Sequence, residues 1–587
     1  MLRGAIKIFV LVGLVFAAIN AGGNILAASL VPICQIQGSG FSSPRYNHSL
    51  RTQGVVTADF DDTSAKGFFI QTANCDSDPS TSDGVFVYLD ERINIVSAGD
   101  LVEVSGTVAE YFGLTRIDTA PGAVQLLSQG NTLPPAADLQ PPFDNEQARA
   151  YFESLEGMLV ELTDARVVGP TDSREDTWVI RSDLGLERVF QDDLAGTGEV
   201  ICISAGGHYE VQPSGVGDQI LGLRGVLDFS LGVYRMQLLT EPASIPARTS
   251  FSGMRDTSGL GLTFGTINLD NLFDWLDDPS TDDPMLNTAE YQRKLDKLAL
   301  TIHDGLGEPA FLAVQEAENE TVLRHLAARM EIEADYEVVW LDSPDARGID
   351  VALLYRPDHV TVLDFEQRQG CTTLVDGLGP DGDRNVKAPV NAVTCDTDGD
   401  GVLDGNRLFS RPPLIVHLDA ALGDGEMLPL WVLVNHFKSK REDTSTQAYT
   451  LPRRLEQARF VAALVTEIET AQPGAAVIVL GDLNDYFDSE TLAILHQTGL
   501  WNAMLGIERA SRYTYIYQGV SQAMDHVLVS PALAVNWVQA QPVHLNADYP
   551  YAYRGQGDVP NRASDHDPVL VRYVVFTNWV YLPVVGR

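Results

Sequence analysis

The chain has 587 residues, of which 45% are hydrophobic, 50 are glycine, 30 are proline and only 5 are cysteine; this excludes a disordered, collagenous or disulfide-knot protein and leaves room for about four domains. Forty basic against eighty acidic residues give 40 − 80 = −40 at neutral pH, a field that repels polyanions and anionic lipid and argues against a basic nucleic-acid groove. A phosphate-processing enzyme survives that exclusion, because metal ions held by clustered carboxylates invert the charge a polyanion meets locally.

Arg3 and Lys7 precede the apolar run Ile8 to Ala18, and small residues follow through Ala27-Ala28-Ser29. This predicts a cleaved signal peptide over residues 1–29. The alternative, a membrane anchor, needs roughly 20 apolar residues, more than the run supplies. Cys34 lacks the small residues that a lipoprotein cleavage site places before it, so the expectation is a secreted, extracellular protein with no stable membrane association, in which disulfides are permitted. Cys371 and Cys395 bracket one insertion and form the expected bridge. A second bridge would join Cys202 to either Cys75 or Cys34, and the alternative is free buried thiols.

From Gly54 to about Leu239 short alternating apolar runs are separated by turn residues, as in Gly84-Val85-Phe86-Val87-Tyr88-Leu89, which predicts β-structure. An internal echo runs through it. Gly99-Asp100, Gly106-Thr107-Val108 and Gly113-Leu114-Thr115-Arg116-Ile117 are matched by Gly217-Asp218, Gly225-Val226-Leu227 and Gly232-Val233-Tyr234-Arg235-Met236. Two small OB-like β-barrels in tandem are therefore expected, over residues 30–132 and 133–245. Barrels of this size present a sheet face that holds oligonucleotides or oligosaccharides; a spacer with no ligand is the equal alternative.

A linker, 246–259, leads to a change of pattern. Thr288 can cap a helix reaching Asp304, with Leu295, Leu298, Ala299, Ile302 and Leu306 on one face, and a second helix runs from Leu451 to Thr470. Between them, Phe311-Leu312-Ala313-Val314, Leu430-Trp431-Val432-Leu433-Val434 and Ala475 to Leu480 are wholly apolar and read as buried strands. Residues 260–575 are thus one α/β domain, followed by a short apolar tail, 576–587.

The chemistry lies where polar residues meet those strands. Asn268 and Asp270 follow Phe264-Gly265-Thr266-Ile267, Gln315-Glu316 follow Val314, Asn435-His436 follow Val434, and Gly481-Asp482-Leu483-Asn484 follow Leu480. Later the order reverses: Asp525-His526 and Ser564-Asp565-His566-Asp567 precede apolar runs. If the late strands run antiparallel to the early ones, all these residues gather on one rim. A rim of carboxylates and amides suits a hard cation such as Mg²⁺, with Mn²⁺ in its place, and the lack of a His/Cys cluster argues against zinc. A histidine beside such a cation can take the proton of an attacking water. Each dipeptide alone is more often a solvated turn; their joint order carries the reading.

In that order the motifs resemble those of the endonuclease/exonuclease/phosphatase, or deoxyribonuclease I-like, superfamily. The resemblance implies an α/β four-layered sandwich, two packed mixed β-sheets flanked by helices. It implies Glu316 as principal metal ligand with Asn268, Asp270 and Asp565, and Asp482 and Asn484 orienting water and phosphate. His566 would be the general base polarised by Asp525, with His436 at the leaving side. Arg411 falls where relatives contact phosphate, and Asp350 either orients His436 from behind or is simply the first residue of a strand. Together with the leader and the β-modules, the chain resembles secreted bacterial nucleases that degrade extracellular DNA, with DNA or RNA as substrate and a monomer as working unit. A sphingomyelinase-like or other small-substrate phosphodiesterase or phosphatase, and an inactive binding protein, remain alternatives.

Within the insertion, Asp396, Asp398 and Asp400 alternate before Gly401, with Asp404 beyond. This resembles a calcium loop, but Arg407 stands where an EF-hand places its glutamate; a structural Ca²⁺ and a solvated acidic turn are equal expectations.

Overall fold

A computed structural model of the protein describes residues 30–204, 206–247, 261–374, 394–422, 426–444 and 447–575. The expected signal peptide, most of the 246–259 linker and the 576–587 tail lie outside them. Contacts divide the chain into two compact units, one of residues up to 111 with 115–134, the other of 112–114 with everything from 135 onward.

The first unit is a closed five-stranded barrel. Its strands run in the order Ser49–Phe60, Gly67–Gln71, Gly84–Tyr88, Leu114–Asp118, Leu101–Tyr111, and closure comes from the long first strand, which pairs with Gly67–Gln71 at one end and Leu101–Tyr111 at the other. Alternation sends Val56, Phe68, Ile70, Val85, Val87, Val102 and Val104 into one core, as the two-residue period of a strand requires. Cys34, on the short helix Ile33–Gln37, is bridged to Cys75.

Within the second unit the first element is another closed barrel with the same strand order: Leu159–Gly169, Thr177–Arg181, Ile201–Ser204, Val233–Leu238, Gln219–Ser230, with Gln219–Val226 paired back onto Leu159–Arg166. The echo in the sequence marks the same hairpin in each barrel. Asp100 and Asp218 brace its entry by accepting from the backbone N–H three residues earlier, Ser97 at 3.0 Å and Gly215 at 2.9 Å. Both tips turn through positive φ at two successive residues, Phe112-Gly113 and Leu231-Gly232, the tight turn that matches strand twist. Cys202 is a buried free thiol on Ile201–Ser204, which corrects the expected bridge to Cys202: spacing along a chain says nothing of which strands bring two sulfurs together.

The remainder is an α/β sandwich. One six-stranded sheet runs Glu337–Trp340, Asp350–Tyr355, Phe311–Ala317, Leu262–Leu272, Val569–Val574, Trp537–Pro542; the other runs Val360–Gln367, Leu414–Ala421, Met427–His436, Val477–Asp482, Asp525–Val529, Trp501–Asn502. Phe311, Ala313, Val351 and Leu353 of the first sheet share a core with Val432, Val434, Ile478 and Leu480 of the second. The residues that alternate with them point the other way. Leu312, Val314 and Ala352 meet Leu295, Leu298 and Leu323 of the helices Thr288–Leu300 and Glu320–Ala327; Leu433, Val477 and Val479 meet Val461, Val465 and Leu492 of Leu451–Ala471 and Glu490–His496. Wholly apolar strands therefore follow from burial on both faces.

The first of these helices is capped by Asn287, not Thr288. The Asn287 side chain accepts from Glu290 N at 3.0 Å and the Glu290 side chain returns the bond, a capping box; the helix stops at Leu300 and passes into a π-helical turn, Thr301–Gly305.

Candidate active site at the shared edge of the two sheets

Strand direction gathers the polar residues. Leu262–Leu272 and Phe311–Ala317 are parallel, with Asn268 opposite Gln315; Met427–His436 and Val477–Asp482 are parallel, with His436 opposite Asp482. Asp525–Val529 and Val569–Val574 run antiparallel to their neighbours, with Asp525 opposite Asp482. The ends of four strands and the starts of two therefore share one edge, as the reversed motif order implies.

Local backbone then aims the side chains. Glu316 is an extra residue between Gln315 and Ala317 in the ladder with Asp350–Tyr355, and its φ is 63°; such a bulge re-aims a side chain at the cost of local strain. Asp270, Asn271 and Asn484 also have positive φ. Gly481 is required for packing: a Cβ there would stand 2.1 Å from the Asn435 carbonyl oxygen.

The resulting cluster is buried and continuous. His436 Nε2 lies 3.5 Å from Asp482 Oδ2 and 3.7 Å from Glu316 Oε1. Asn268 Nδ2 donates to Asp482 Oδ2 at 3.2 Å, and the Asn484 N–H donates to Asp482 Oδ1 at 2.9 Å. His566 Nδ1 lies 2.7 Å from Asp525 Oδ2. Burial, with the Asp525 and Glu316 charges, pushes the Asp482 carboxyl up to about 7 against the pull of His566. Burial, together with Arg411, Arg347 and His566, holds the His436 imidazole well below its ordinary value and so neutral. Burial also works against a charged His566, but the charge and hydrogen bond of Asp525, with Asp482 and Asp565, hold it well above its ordinary value. For Asp565 burial is outweighed by His566, Arg562 and Arg554, so its carboxyl lies low.

Residues 263–376 and 410–545 match the model of the Endonuclease/Exonuclease/phosphatase family. This domain belongs to that family. It is a hydrolase domain for phosphate esters, and the gap in the match is the insertion that carries the aspartate-rich loop. Residues 119–250 match a domain of unknown function (DUF8508). Among solved structures, an endonuclease/exonuclease/phosphatase from Bacteroides vulgatus is 16% identical and covers 54% of this chain and 99% of its own, with a TM-score of 0.33. A mannosyl-6-phosphatase from Bacteroides thetaiotaomicron is 15% identical (53% and 99%, TM-score 0.32), and the human Nocturnin catalytic domain 13% (56% and 97%, TM-score 0.32). No curated protein matches.

Members of the family use divalent metals, and the donor set here fits one. Asp482, Asp525 and His566 each offer an atom within 4.8 Å of the others, Asp525 Oδ1 is buried without a hydrogen-bond partner, and burial, then the neighbouring carboxylates, push Asp482 up; an oxygen-rich pocket that crowds buried carboxylates is what a hard cation relieves. The sequence reading placed the metal on Asn268, Asp270, Glu316 and Asp565. Asn268 and Glu316 do adjoin the cluster. Asp270 is different: its carboxylate forms an ion pair with Arg554, its carbonyl accepts from Lys294 Nζ, and the next residue, Asn271, donates its N–H to Glu316 Oε2 at 3.0 Å. It shapes the turn that holds Glu316.

Asp350 does not orient His436. Its carboxylate accepts from Trp340 Nε1 at 2.7 Å and from the Ser343 N–H at 3.1 Å, while His436 Nδ1 has no partner. Arg411 is buried and donates to Asp345 Oδ2 at 2.6 Å, leaving its Nε without a partner. Far along the insertion, Asp396, Asp398 and Asp400 offer oxygens within 4.8 Å of one another. Asp404 turns instead to the Thr397 N–H and hydroxyl. Cys371 and Cys395 are bridged.

Sequence reasoning missed Lys294, Arg347 and Arg554. Lys294 is half-buried; desolvation lowers its ammonium to about 8 despite the charges of Asp565 and Glu316. Arg347 Nε lies 3.9 Å from Asp345 and its charge bears on Glu316 and His436. No local pattern singles these cations out, since each is one polar residue on a helix or loop.

Proposed function

We propose that the chain is a secreted nuclease that hydrolyses phosphodiester bonds of extracellular DNA, and of RNA, with low sequence specificity and with bound Mg²⁺ or Mn²⁺. The observation that carries the reading is the buried His566–Asp525 pair, at 2.7 Å, beside Asp482, Glu316 and His436 in a domain of this family. When bound, the cation would polarise a phosphoryl oxygen and offset charge gained on attack; Glu316 and Asp482, with Asn268 and Asp565 nearby, are the residues to hold it.

The chain's own groups supply the rest. With Nδ1 donating to Asp525, His566 keeps Nε2 as the nitrogen that accepts a proton from water, and the Asp525 charge stabilises the imidazolium that forms. Asn484 and Asp482, linked through the Asn484 N–H, orient the water and the phosphate. Neutral His436 can serve the leaving oxygen as a hydrogen-bond donor, and the unpaired Arg411 Nε is a donor for a phosphate oxygen. Secretion is supported by the leader sequence and by the two disulfides, since bridges persist in oxidising compartments. The 1-2-3-5-4 strand order of both barrels supports an OB-like architecture, and the Asp396–Asp400 turn is a candidate for structural Ca²⁺.

Release of acid-soluble nucleotides from duplex DNA, with and without EDTA, tests the function. Chelator-sensitive release that His566→Ala and Glu316→Ala abolish is expected; undiminished activity in either variant defeats the assignment of roles. A second reading, hydrolysis of a small phosphoester, is favoured by the net charge of −40. It gains if p-nitrophenyl phosphate or sphingomyelin is turned over and DNA is not. Product lengths from circular and linear DNA separate endonucleolytic from exonucleolytic cleavage, and the mass of protein recovered from culture medium tests removal of residues 1–29.

A further inference from the structure

The second barrel is built into the wall behind the His566–Asp525 pair. Its short strand Val189–Phe190 pairs in parallel with Val520–Gln522, which pairs antiparallel with Tyr515–Tyr517; the Tyr515 ring lies 4.7 Å from the His566 imidazole, centroid to centroid. The two backbones approach too closely for side chains, since a Cβ on Gly169 would stand 2.7 Å from Gly519 Cα. Beside this contact the barrel residue Arg188 donates Nη1 and Nη2 to the two oxygens of Asp548, at 2.9 and 3.1 Å. Its guanidinium carbon sits 3.9 Å from the centroid of Tyr513, whose hydroxyl also donates to Asp548, at 2.8 Å.

From Tyr513 two routes reach the pair. The ring stacks flat on His544, 3.9 Å between centroids, and His544 Nδ1 lies 2.8 Å from Asp567 Oδ2, next in sequence to His566. The residue after Tyr513, Thr514, accepts the Asp525 N–H on its hydroxyl at 3.1 Å and the Asp567 N–H on its carbonyl at 2.7 Å. Thr514 thus ties Asp525 directly, and the segment of His566 through Asp567, to the strand that the barrel holds. Side-chain exposures of 14% for Arg188 and 18% for Asp548 mean the fork is largely desolvated, so removing the guanidinium leaves a carboxylate without its counter-charge rather than a neutral surface.

We propose that the second barrel is part of the catalytic apparatus: Arg188 is a positioning residue which, through Asp548, Tyr513 and Thr514, fixes the segments that carry Asp525 and His566. The proposal rests on the reading of that pair as the proton-accepting machinery. A misplacement of about 1 Å at such a pair costs on the order of 100-fold in rate, so a clamp outside the domain has kinetic consequences.

Full-length wild type, Arg188→Met, Arg188→Lys and Gly169→Val are compared by steady-state kinetics on duplex DNA and bis-p-nitrophenyl phosphate, with amide exchange at Thr514, Tyr515 and Asp525. Arg188→Met and Gly169→Val should lower kcat at least about tenfold with KM within about twofold, speed exchange at those amides, and Arg188→Lys should recover part of kcat. A lowered melting temperature with unchanged kcat and exchange overturns the proposal, leaving an interface that only stabilises. If Arg188→Met does not fold, Asp548→Asn carries the same expectations and the same refutation. Should the wild type hydrolyse no phosphoester, the catalytic reading fails by itself, and unaltered exchange in the variants would separately overturn the coupling.

Discussion

Asp525→Asn removes one charge and little else. The Asp525 carboxylate and His566 Nδ1 are 2.7 Å apart, with side-chain exposures of 1% and 11%, so the bond is short, charged and shielded from water. Asp525 Oδ1 has no other partner, and the amide is therefore free to turn its oxygen toward Nδ1–H, preserving the tautomer. What is lost is the stabilisation of imidazolium by an anion, about 1.5–3 kcal/mol for a hydrogen bond to a charged group. At about 1.4 kcal/mol per factor of ten, kcat should fall by roughly 10- to 150-fold. The charge of Asp525 is among the causes that hold His566 well above its ordinary value, so in Asp525→Asn the imidazole loses its proton at lower pH. Because the base works deprotonated, the acidic limb of kcat/KM moves to lower pH while its plateau drops. Initial rates on bis-p-nitrophenyl phosphate across pH, at fixed Mg²⁺, measure both. A plateau within twofold of wild type, or an acidic limb displaced upward, would refute the role given to this pair.

Three further substitutions read the scaffold. Lys297 is buried, and its ammonium donates to the carbonyls of Gln556, Val559 and Asn561 at 2.8, 2.8 and 2.6 Å; Lys297→Met should cost roughly 3 kcal/mol or more in urea unfolding, from three carbonyls left without a donor at about 1–3 kcal/mol each. Burial raises Asp350 from 3.8 to about 7, so the folded state holds a proton that the unfolded state releases, and the stability Asp350 contributes is present below about pH 4 and lost as pH rises to about 7. In Asp350→Asn the slope of unfolding free energy with pH across that window should be less negative than in wild type; an unchanged slope would contradict the burial argument. Gly481→Ala places a Cβ 2.1 Å from a backbone oxygen at φ 127°, and a melting temperature equal to wild type would show that this part of the ladder yields.

The chemistry-bearing residues were legible because each sits at the boundary between an apolar strand and a polar turn, where one dimension of pattern records position at the sheet edge. The repeated hairpin of the barrels was legible for the same reason, through Asp100 and Asp218 and the glycines at the tips. Longer-range facts left no such trace. The bulge that turns Glu316 inward depends on the ladder with Asp350–Tyr355, and the partners of Asp270 come from residues 294 and 554, both remote in sequence. Asp350 was misassigned because a carboxylate at a strand start has the same local signature whether it faces a histidine or a tryptophan N–H. Cys202 was matched wrongly since only the folded barrel decides which thiols meet.

A charge of −40 on the whole chain and a site for a phosphate ester coexist because the fields have different ranges. At physiological ionic strength the screening length is about 8 Å, so a phosphate at the sheet edge responds to the groups beside it and little to distant carboxylates. Those groups include cations: Arg347 and Arg411 act on His436, while Arg554 and Arg562 act on Asp565. Several of them are already committed to Asp345 and Asp270, which leaves few to release counterions from DNA. Salt should therefore weaken DNA binding gently: a plot of log KM against log NaCl concentration should rise with a slope below about 3, whereas 6–10 phosphate contacts would give about 5–9. Divalent cation at fixed ionic strength should change KM far more. A slope near 6 would mean that a cationic surface elsewhere on the chain captures the polymer, and that the carboxylate edge is not where its backbone is first held.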